Sequence, residues 1–377
     1  MIEGLQINIP QRMKLVRITL TLSLVISLLL TFNLWGGHRS FPYSPVFENL
    51  RPAAPFDIFF VILLIILLMS SLFVVRLRLI ISLAITVSLF LVLGDVNRIQ
   101  PWFYIYTSML FVFVFYNGRV DDSNQFTGYF ILLQIIFASV YFFCGISQLN
   151  PHFVNTDFEK IISPLKQIVS DRQFGFLVRM GLFVPYLLIF VGIGLIIPTI
   201  RYLAISLVVL MHLFLLILLF PSSQNYSYSL WFSNLPFACM SIFLFSGKTK
   251  QRYFSPTYLF KMPLSYPVFL FFVIMPFFNK KGFWPDYLSS NFKSGNTRAV
   301  RININSNIYN NLPLFQRHFC QQKESNLLFE YNKWCATELN VECFPSQRVF
   351  NSIYVYLKNL DDITVKEIEL AVTNRQN

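Results

Sequence analysis

Apolar residues gather along this chain into nine runs, near residues 16–35, 57–75, 79–94, 101–116, 128–145, 178–199, 202–220, 230–246 and 262–278. A helix needs about 20 apolar residues to cross a bilayer, and Pro, Gly and charged residues close one span before the next begins. The pattern predicts a mainly α, polytopic transmembrane helical bundle of about nine spans over residues 1–278. The eighth and ninth runs are short, so a tilted, re-entrant or partly interfacial course is open to them. The first run has spanning length and no small-residue cleavage motif, which reads as an uncleaved signal anchor. No internal repeat is visible.

From Asn279 the pattern changes. Val300, Ile302 and Ile304 alternate with Arg301, Asn303 and Asn305, the period of a half-buried strand. Leu327, Leu328, Tyr331, Trp334, Cys335 and Leu339 recur at helical spacing. Val349, Phe350, Ile353, Tyr354 and Leu357 do so again, before a strand-like stretch from Ile363 to Val372. Residues 279–377 are therefore expected to form a small soluble α+β C-terminal domain.

Composition agrees with the spans. Hydrophobic residues make up 55% of the 377 and charged residues 13%, about half the charged share of a soluble domain. The net charge of +12 would suggest nucleic acid if the cations clustered on one soluble face. They sit mostly in short loops between apolar runs, so lipid is the expected partner and nucleic acid is not. With the N-terminus in the cytoplasm, the inner loops hold Arg12, Lys14, Arg17, Arg76, Arg78, Arg119, Arg201, Lys248, Lys250, Arg252 and Lys261. The outer loops hold only Arg39, Arg51, Arg98, Lys160, Lys166 and Arg172. This bias predicts a cytoplasmic N-terminus and, after nine spans, an extracytoplasmic C-terminal domain.

Candidate chemistry lies where polar residues interrupt the apolar pattern. Asp95, Asn97, Arg98, Gln100 and Trp102 fall between the third and fourth spans, and a charge at membrane depth costs about 2.5–3.5 kcal/mol on the insertion scale. Asp95 and Arg98, three apart, can pair across one helical turn; a solvated loop with a Pro-Trp interface anchor is the alternative. Gln148 and Asn150 close the fifth span, and a charged segment from Asn155 to Arg172 follows as an interfacial helix or loop. His212 lies near the middle of the seventh span, where an acid–base role and a hydrogen bond to a neighbouring helix are both open. Asn225, Tyr226 and Asn234 follow it. All of these except His212 fall on the predicted outer side, so three loops have to meet there for a shared site to exist.

Other chemistries lack their signatures: there is no GxSxG elbow, Walker loop, dinucleotide fingerprint or HExxH. Paired carboxylates inside spans, the mark of a proton-coupled pump, are missing too. The five cysteines show no metal-ligand spacing, and no metal site is expected. In an oxidising compartment two of Cys320, Cys335 and Cys343 can pair; three buried thiols are the alternative.

Several segments together resemble a known family. DVNRIQPWFYIY, CGISQLNPHF and MHLFLLILLFPSSQNYSYSLWFSNLPFACM are similar to motifs of the HTTM/DoxX-like bacterial integral membrane proteins. In the tail, DYLSSNFKSGNT and KWCATELNVECFPSQRVF resemble stretches of the same proteins. The matches cover about residues 90 to 350, and a distant similarity extends to the membrane domain of vitamin K-dependent gamma-carboxylase. The resemblance implies a bacterial inner-membrane protein that binds an isoprenoid quinone or another lipid-like small molecule. Asp95, Arg98 and His212 would handle protons, and Asn97, Gln100, Trp102, Gln148, Asn150, Asn225, Tyr226 and Asn234 would line the cavity. Where the family motif carries a basic Lys, this chain has Gln148, and an amide does not titrate at useful pH. That argues against carboxylase or epoxidase chemistry and leaves a non-catalytic scaffold, presenting its C-terminal domain to a protein partner, as the alternative.

Overall fold

The computed structural model describes residues 8–36, 39–47, 56–73, 77–116, 123–220, 228–247, 259–323, 326–360 and 370–373. The membrane part consists of α1 (Ile9–Leu30), α2 (Phe56–Ser70), α3 (Leu77–Gly94), α4 (Pro101–Phe115), α5 (Ser123–Gln148), α6 (Asp171–Met180), α7 (Val184–Ile196), α8 (Arg201–Leu218), α9 (Tyr228–Phe245) and α10 (Ser265–Phe269). Among the described residues, six helices are long and apolar enough to cross a membrane: Ile9–Leu30, Leu77–Gly94, Thr127–Gln148, Asp171–Ile196, Arg201–Leu218 and Tyr228–Phe245. This is the architecture of an integral membrane protein. Three shorter apolar helices, Phe56–Ser70, Pro101–Phe115 and Ser265–Phe278, coincide with the other three runs of the sequence.

Local chemistry sets the ends of these helices. Asn8 and Gln11 form a reciprocal capping box at the start of α1, which satisfies two of the backbone donors left over in a first turn. Pro101 sits at the first position of α4, where its missing N–H costs nothing. From α10 the chain continues as a π-helical turn, Leu270–Ile274, and a 3-10 turn, Met275–Phe278. Pro276 has no N–H to offer the carbonyl four residues back, so a regular α ladder cannot run through this point.

The faces of α8 show the division between core and lipid. Ala204, Val208 and His212 point inward at helical spacing, whereas Leu203, Leu210, Phe214 and Ile217 are exposed, an apolar stripe suited to acyl chains. Close packing of α5 on α7 depends on glycine. A Cβ added at Gly145 would lie 2.6 Å from the Pro185 carbonyl oxygen, and one at Gly192 would lie 2.7 Å from the Phe142 nitrogen. Small residues of this kind let helix backbones approach within a membrane.

The tail is an α+β unit. Its sheet runs β2-β3-β1-β4, from β1 (Ala299–Ile304), β2 (Cys320–Lys323), β3 (Asn326–Phe329) and β4 (Leu370–Thr373), with antiparallel pairing throughout. Helices α11 (Tyr331–Leu339) and α12 (Gln347–Lys358) accompany it. One sequence expectation needs correction. Leu327 and Leu328 belong to β3, not to the helix that follows, because the strand pairs on both sides, Ile304 with Leu327 and Gln321 with Leu328. The segment expected between Asn155 and Arg172 is a series of short helical turns, and α6 packs Phe174 with Ile162 and Leu218 in a small core of its own. All five cysteines are free thiols, so the pairing of two of Cys320, Cys335 and Cys343 is not present. Cys335 and Cys343 are both buried.

Candidate functional site

The residues singled out in the sequence fall into two groups. One joins the bundle to the tail, and the other lies inside the bundle.

At the joint, Asp95 has extended backbone and caps the single 3-10 turn Val96–Arg98. Its Oδ1 accepts from the Asn97 backbone N–H at 3.1 Å, the Asn97 side-chain amide at 3.0 Å and the Ser44 N–H at 3.2 Å. Its Oδ2 pairs with Arg39. Arg98 turns into the bundle. Its Nη2 meets Asp57 Oδ2 and the Trp35 carbonyl, both at 2.8 Å, while Nη1 reaches the Leu91 carbonyl at 2.7 Å and Nε that of Leu34 at 3.2 Å. The expected Asp95–Arg98 pair therefore does not form, because Asp95 is occupied with capping its own turn and each charge finds an opposite one far away in sequence. Nor is this a solvated loop: Asp95, Asn97 and Arg98 are each 0% exposed. A buried charge is tolerable when paired and hydrogen-bonded; each carboxylate here meets an arginine, and Asp57 Oδ1 and Arg39 Nε are left without a partner among the described residues.

The same turn reaches the tail. Asn97 Oδ1 accepts the Phe344 backbone N–H at 3.2 Å, and Gln100 Nε2 donates to the Asn97 carbonyl at 2.8 Å and the Glu342 carbonyl at 3.0 Å. Asn340, in left-handed backbone at the end of α11, donates to the Leu30 carbonyl at 2.8 Å and accepts from the Tyr228 N–H at 2.9 Å. Glu338 holds the Ser40 hydroxyl at 2.8 Å. Residues 338–344 thus touch the ends of α1 and α9 and the turns that precede α4.

Gln148 and Asn150 belong to this joint as well. Asn150 caps the turn Pro151–Phe153 with its Oδ1, at 3.1 Å from both the His152 and Phe153 N–H groups. Its Nδ2 donates to the Ser294 carbonyl of the tail at 2.8 Å. Gln148 Nε2 donates to the Lys293 carbonyl at 3.4 Å, while its Oε1 is buried without a partner among the described residues. Gly295, at φ +71°, lies so close that a Cβ would come 2.7 Å from the Phe153 nitrogen, and its N–H meets Asp157 Oδ2 at 2.6 Å. The loops after α1, before α4 and after α5, together with the first turn of α9, therefore converge on the tail. Trp102 packs against Trp35 at 6.3 Å. Asn225 and Tyr226 lie outside the described residues.

His212 and Asn234 do not join that cluster. Asn234 Nδ2 donates to the Leu230 and Trp231 carbonyls at 3.0 and 3.2 Å, so its Oδ1 accepts from His212 Nδ1 at 2.8 Å. That leaves His212 Nε2 as the acceptor for the Tyr141 hydroxyl at 2.7 Å. A neutral imidazole with its hydrogen on Nδ1 satisfies every member of this chain.

Sequence reasoning missed Arg39, Asp57, Tyr141, Asp157, Glu342 and Gly295. A lone acid at the head of an apolar run was a usable signal for Asp57; Tyr141, one aromatic among many, offered none. Within the tail, Tyr287 donates to the Cys343 carbonyl at 3.1 Å, and burial pushes its phenol well above the ordinary range.

Comparison with other proteins returns no match: no protein-family model fits the chain, and neither a curated protein nor a solved structure is significantly similar to it.

Proposed function

We propose that this integral membrane protein is a platform: a helical bundle that holds its C-terminal domain at one face of the bilayer for a protein partner. The reading is carried by where the polar motif spends its hydrogen bonds. Four of the five N–H groups of Arg98 go to Asp57 and three backbone carbonyls, and Asn97, Gln100 and Asn150 bond backbone groups of the tail. Groups so committed fasten one part of the chain to another. In this reading the chain makes nine crossings of a bacterial inner membrane, with a cytoplasmic N-terminus and the tail outside. The bond from Asn340 to Leu30 supports that sidedness, because Leu30 is the far end of a 22-residue helix from the N-terminus. Thermal unfolding in detergent tests the platform: Arg98→Ala and Asn97→Ala each lower the midpoint, and midpoints equal to wild type would count against a fastening role.

A second reading, a quinone-binding or redox-associated protein of the HTTM/DoxX kind, is favoured by the Tyr141–His212–Asn234 chain inside the bundle. Gln148 supports no carboxylase-type base, since its amide serves Lys293 of the tail. Organic extraction of the purified protein tests this reading; absence of quinone together with no quinone-induced thermal shift argues against it.

A further inference from the structure

The span that begins with α6 is longer than a bilayer core is thick. Asp171–Ile196, in which the 3-10 turn Gly181–Phe183 joins α6 to α7, has 26 residues. At 1.5 Å per residue that is about 39 Å, against a hydrocarbon core of about 30 Å. The far end, Leu195 and Ile196, is apolar, whereas the beginning, Asp171, Arg172 and Gln173, is polar. The surplus, about six residues, therefore stands among the lipid headgroups at the α6 end. That end shares the side of the tail, because the turns packed against α6 also carry Asp157, whose carboxylate takes the Gly295 N–H.

α6 has two faces. Phe174 packs with Ile162 and Leu218. Arg172, Phe176 and Arg179 recur at helical spacing on the opposite face, where Phe176 is 62% exposed and both arginines are exposed. Beside this face lies a cleft of about 450 Å³, lined by Val169, Arg172, Gln173, Phe176 and Leu177. Arg172 and Gln173 belong to the polar end, and Phe176 and Leu177 lie one turn deeper toward hydrocarbon. Side chains on a helix lean toward its N-terminus, which carries Arg179 back toward Arg172 and the headgroups.

Neither arginine has an ion pair or a hydrogen bond among the described residues. The neighbouring acids are engaged or turned aside: Glu159 pairs with Lys166, Asp157 serves Gly295, and Asp171, the one acid of α6, does not line the cleft. A cation at headgroup level with an aromatic ring one turn deeper matches the order of groups in a phospholipid, phosphate above and acyl chain below. A guanidinium also fits phosphate with two parallel hydrogen bonds.

We propose that the cleft at the head of α6 binds an anionic phospholipid, its phosphate held by Arg172 and Gln173 and its acyl chain lying along Phe176 and Leu177. Arg179 adds a second positive charge. A zwitterionic headgroup brings its own ammonium against the two arginines and binds less well. The site needs only that Asp171–Ile196 crosses the bilayer, and it holds under either functional reading.

The full chain, purified in an uncharged detergent, is titrated with phosphatidylglycerol and separately with phosphatidylcholine of the same acyl chains, and bound lipid is counted by native mass spectrometry. The expected result is one phosphatidylglycerol bound ahead of any others, with phosphatidylcholine weaker by about fivefold or more. Arg172→Gln and Arg179→Gln each weaken phosphatidylglycerol by about fivefold, the worth of one cation near a lipid surface. Arg172→Lys weakens it less. The lipid-free thermal midpoint of all three stays at wild type, since neither arginine has a protein partner to lose. Phe176→Ala weakens both lipids alike. Equal affinity for the two lipids in the wild-type protein overturns the proposal, as does wild-type phosphatidylglycerol binding by Arg172→Gln. Displacement of phosphatidylglycerol by inorganic phosphate overturns it too, because the cleft would then be a site for the free anion.

Discussion

Asn97 in the bundle accepts a hydrogen bond from the backbone N–H of Phe344 in the tail at 3.2 Å, across 247 positions of sequence. Asn97 is in turn held by Asp95, which accepts from both its backbone and its side-chain N–H, and Asp95 is neutralised by Arg39. One polar turn thus orders three parts of the chain, and its removal has consequences at each of them.

Arg98→Ala leaves Asp57 buried without its cation and three carbonyls without their donor. Breaking a buried pair from one side costs about 3–5 kcal/mol. Thermal unfolding in detergent is expected to show a large loss. The double variant Arg98→Met with Asp57→Leu is expected to regain part of it, because no lone charge is left behind. An Arg98→Ala midpoint close to wild type would contradict the burial described above.

Glycine substitutions separate packing from propensity. Gly192→Ala places a methyl against the Phe142 backbone and is expected to destabilise by about 1–3 kcal/mol. Gly175→Ala, in α6 with open space around the new methyl, is expected to be neutral or stabilising by up to about 1 kcal/mol. Similar midpoints for the two would mean that α5 and α7 do not approach as closely as the structure has them.

Stability should fall in alkali, starting in the tail. Burial raises the Cys320 thiol from 9.0 to about 11, so the folded state holds this proton more tightly than the unfolded one. That contribution is complete below pH 9 and is lost as pH rises through about 11. Burial raises Tyr331 and Cys335 in the same direction. Denaturation followed by Trp fluorescence is expected to show a stability decline over this window, shallower in Cys320→Ala. Constant stability from pH 8 to 11 would be contrary to it.

The apolar runs were legible because hydrocarbon demands long, continuous, uncharged segments. Six of the nine meet a spanning length. The short ninth is interrupted where prolines deny the ladder its donors. The polar interruptions were legible as positions but not as partnerships. Three-residue spacing suggested Asp95 with Arg98, whereas the partners are Arg39 and Asp57, and no local rule reports a contact between distant loops. The adjacent pair Leu327–Leu328 suits a strand or a helix equally, and only its neighbours in the sheet decide. His212 was conspicuous as a lone imidazole in a span; Tyr141, which completes its hydrogen bonding, was hidden by the abundance of aromatic residues.

Amide hydrogen exchange at Phe344 tests the fastening of tail to bundle most directly. In the wild-type protein this N–H is expected to exchange slowly. In Asn97→Ala, peptides covering residues 341–350 are expected to lose protection while α12 beyond Phe350 keeps its own. Fast exchange at Phe344 in the wild type, or protection unchanged in Asn97→Ala, would contradict the account.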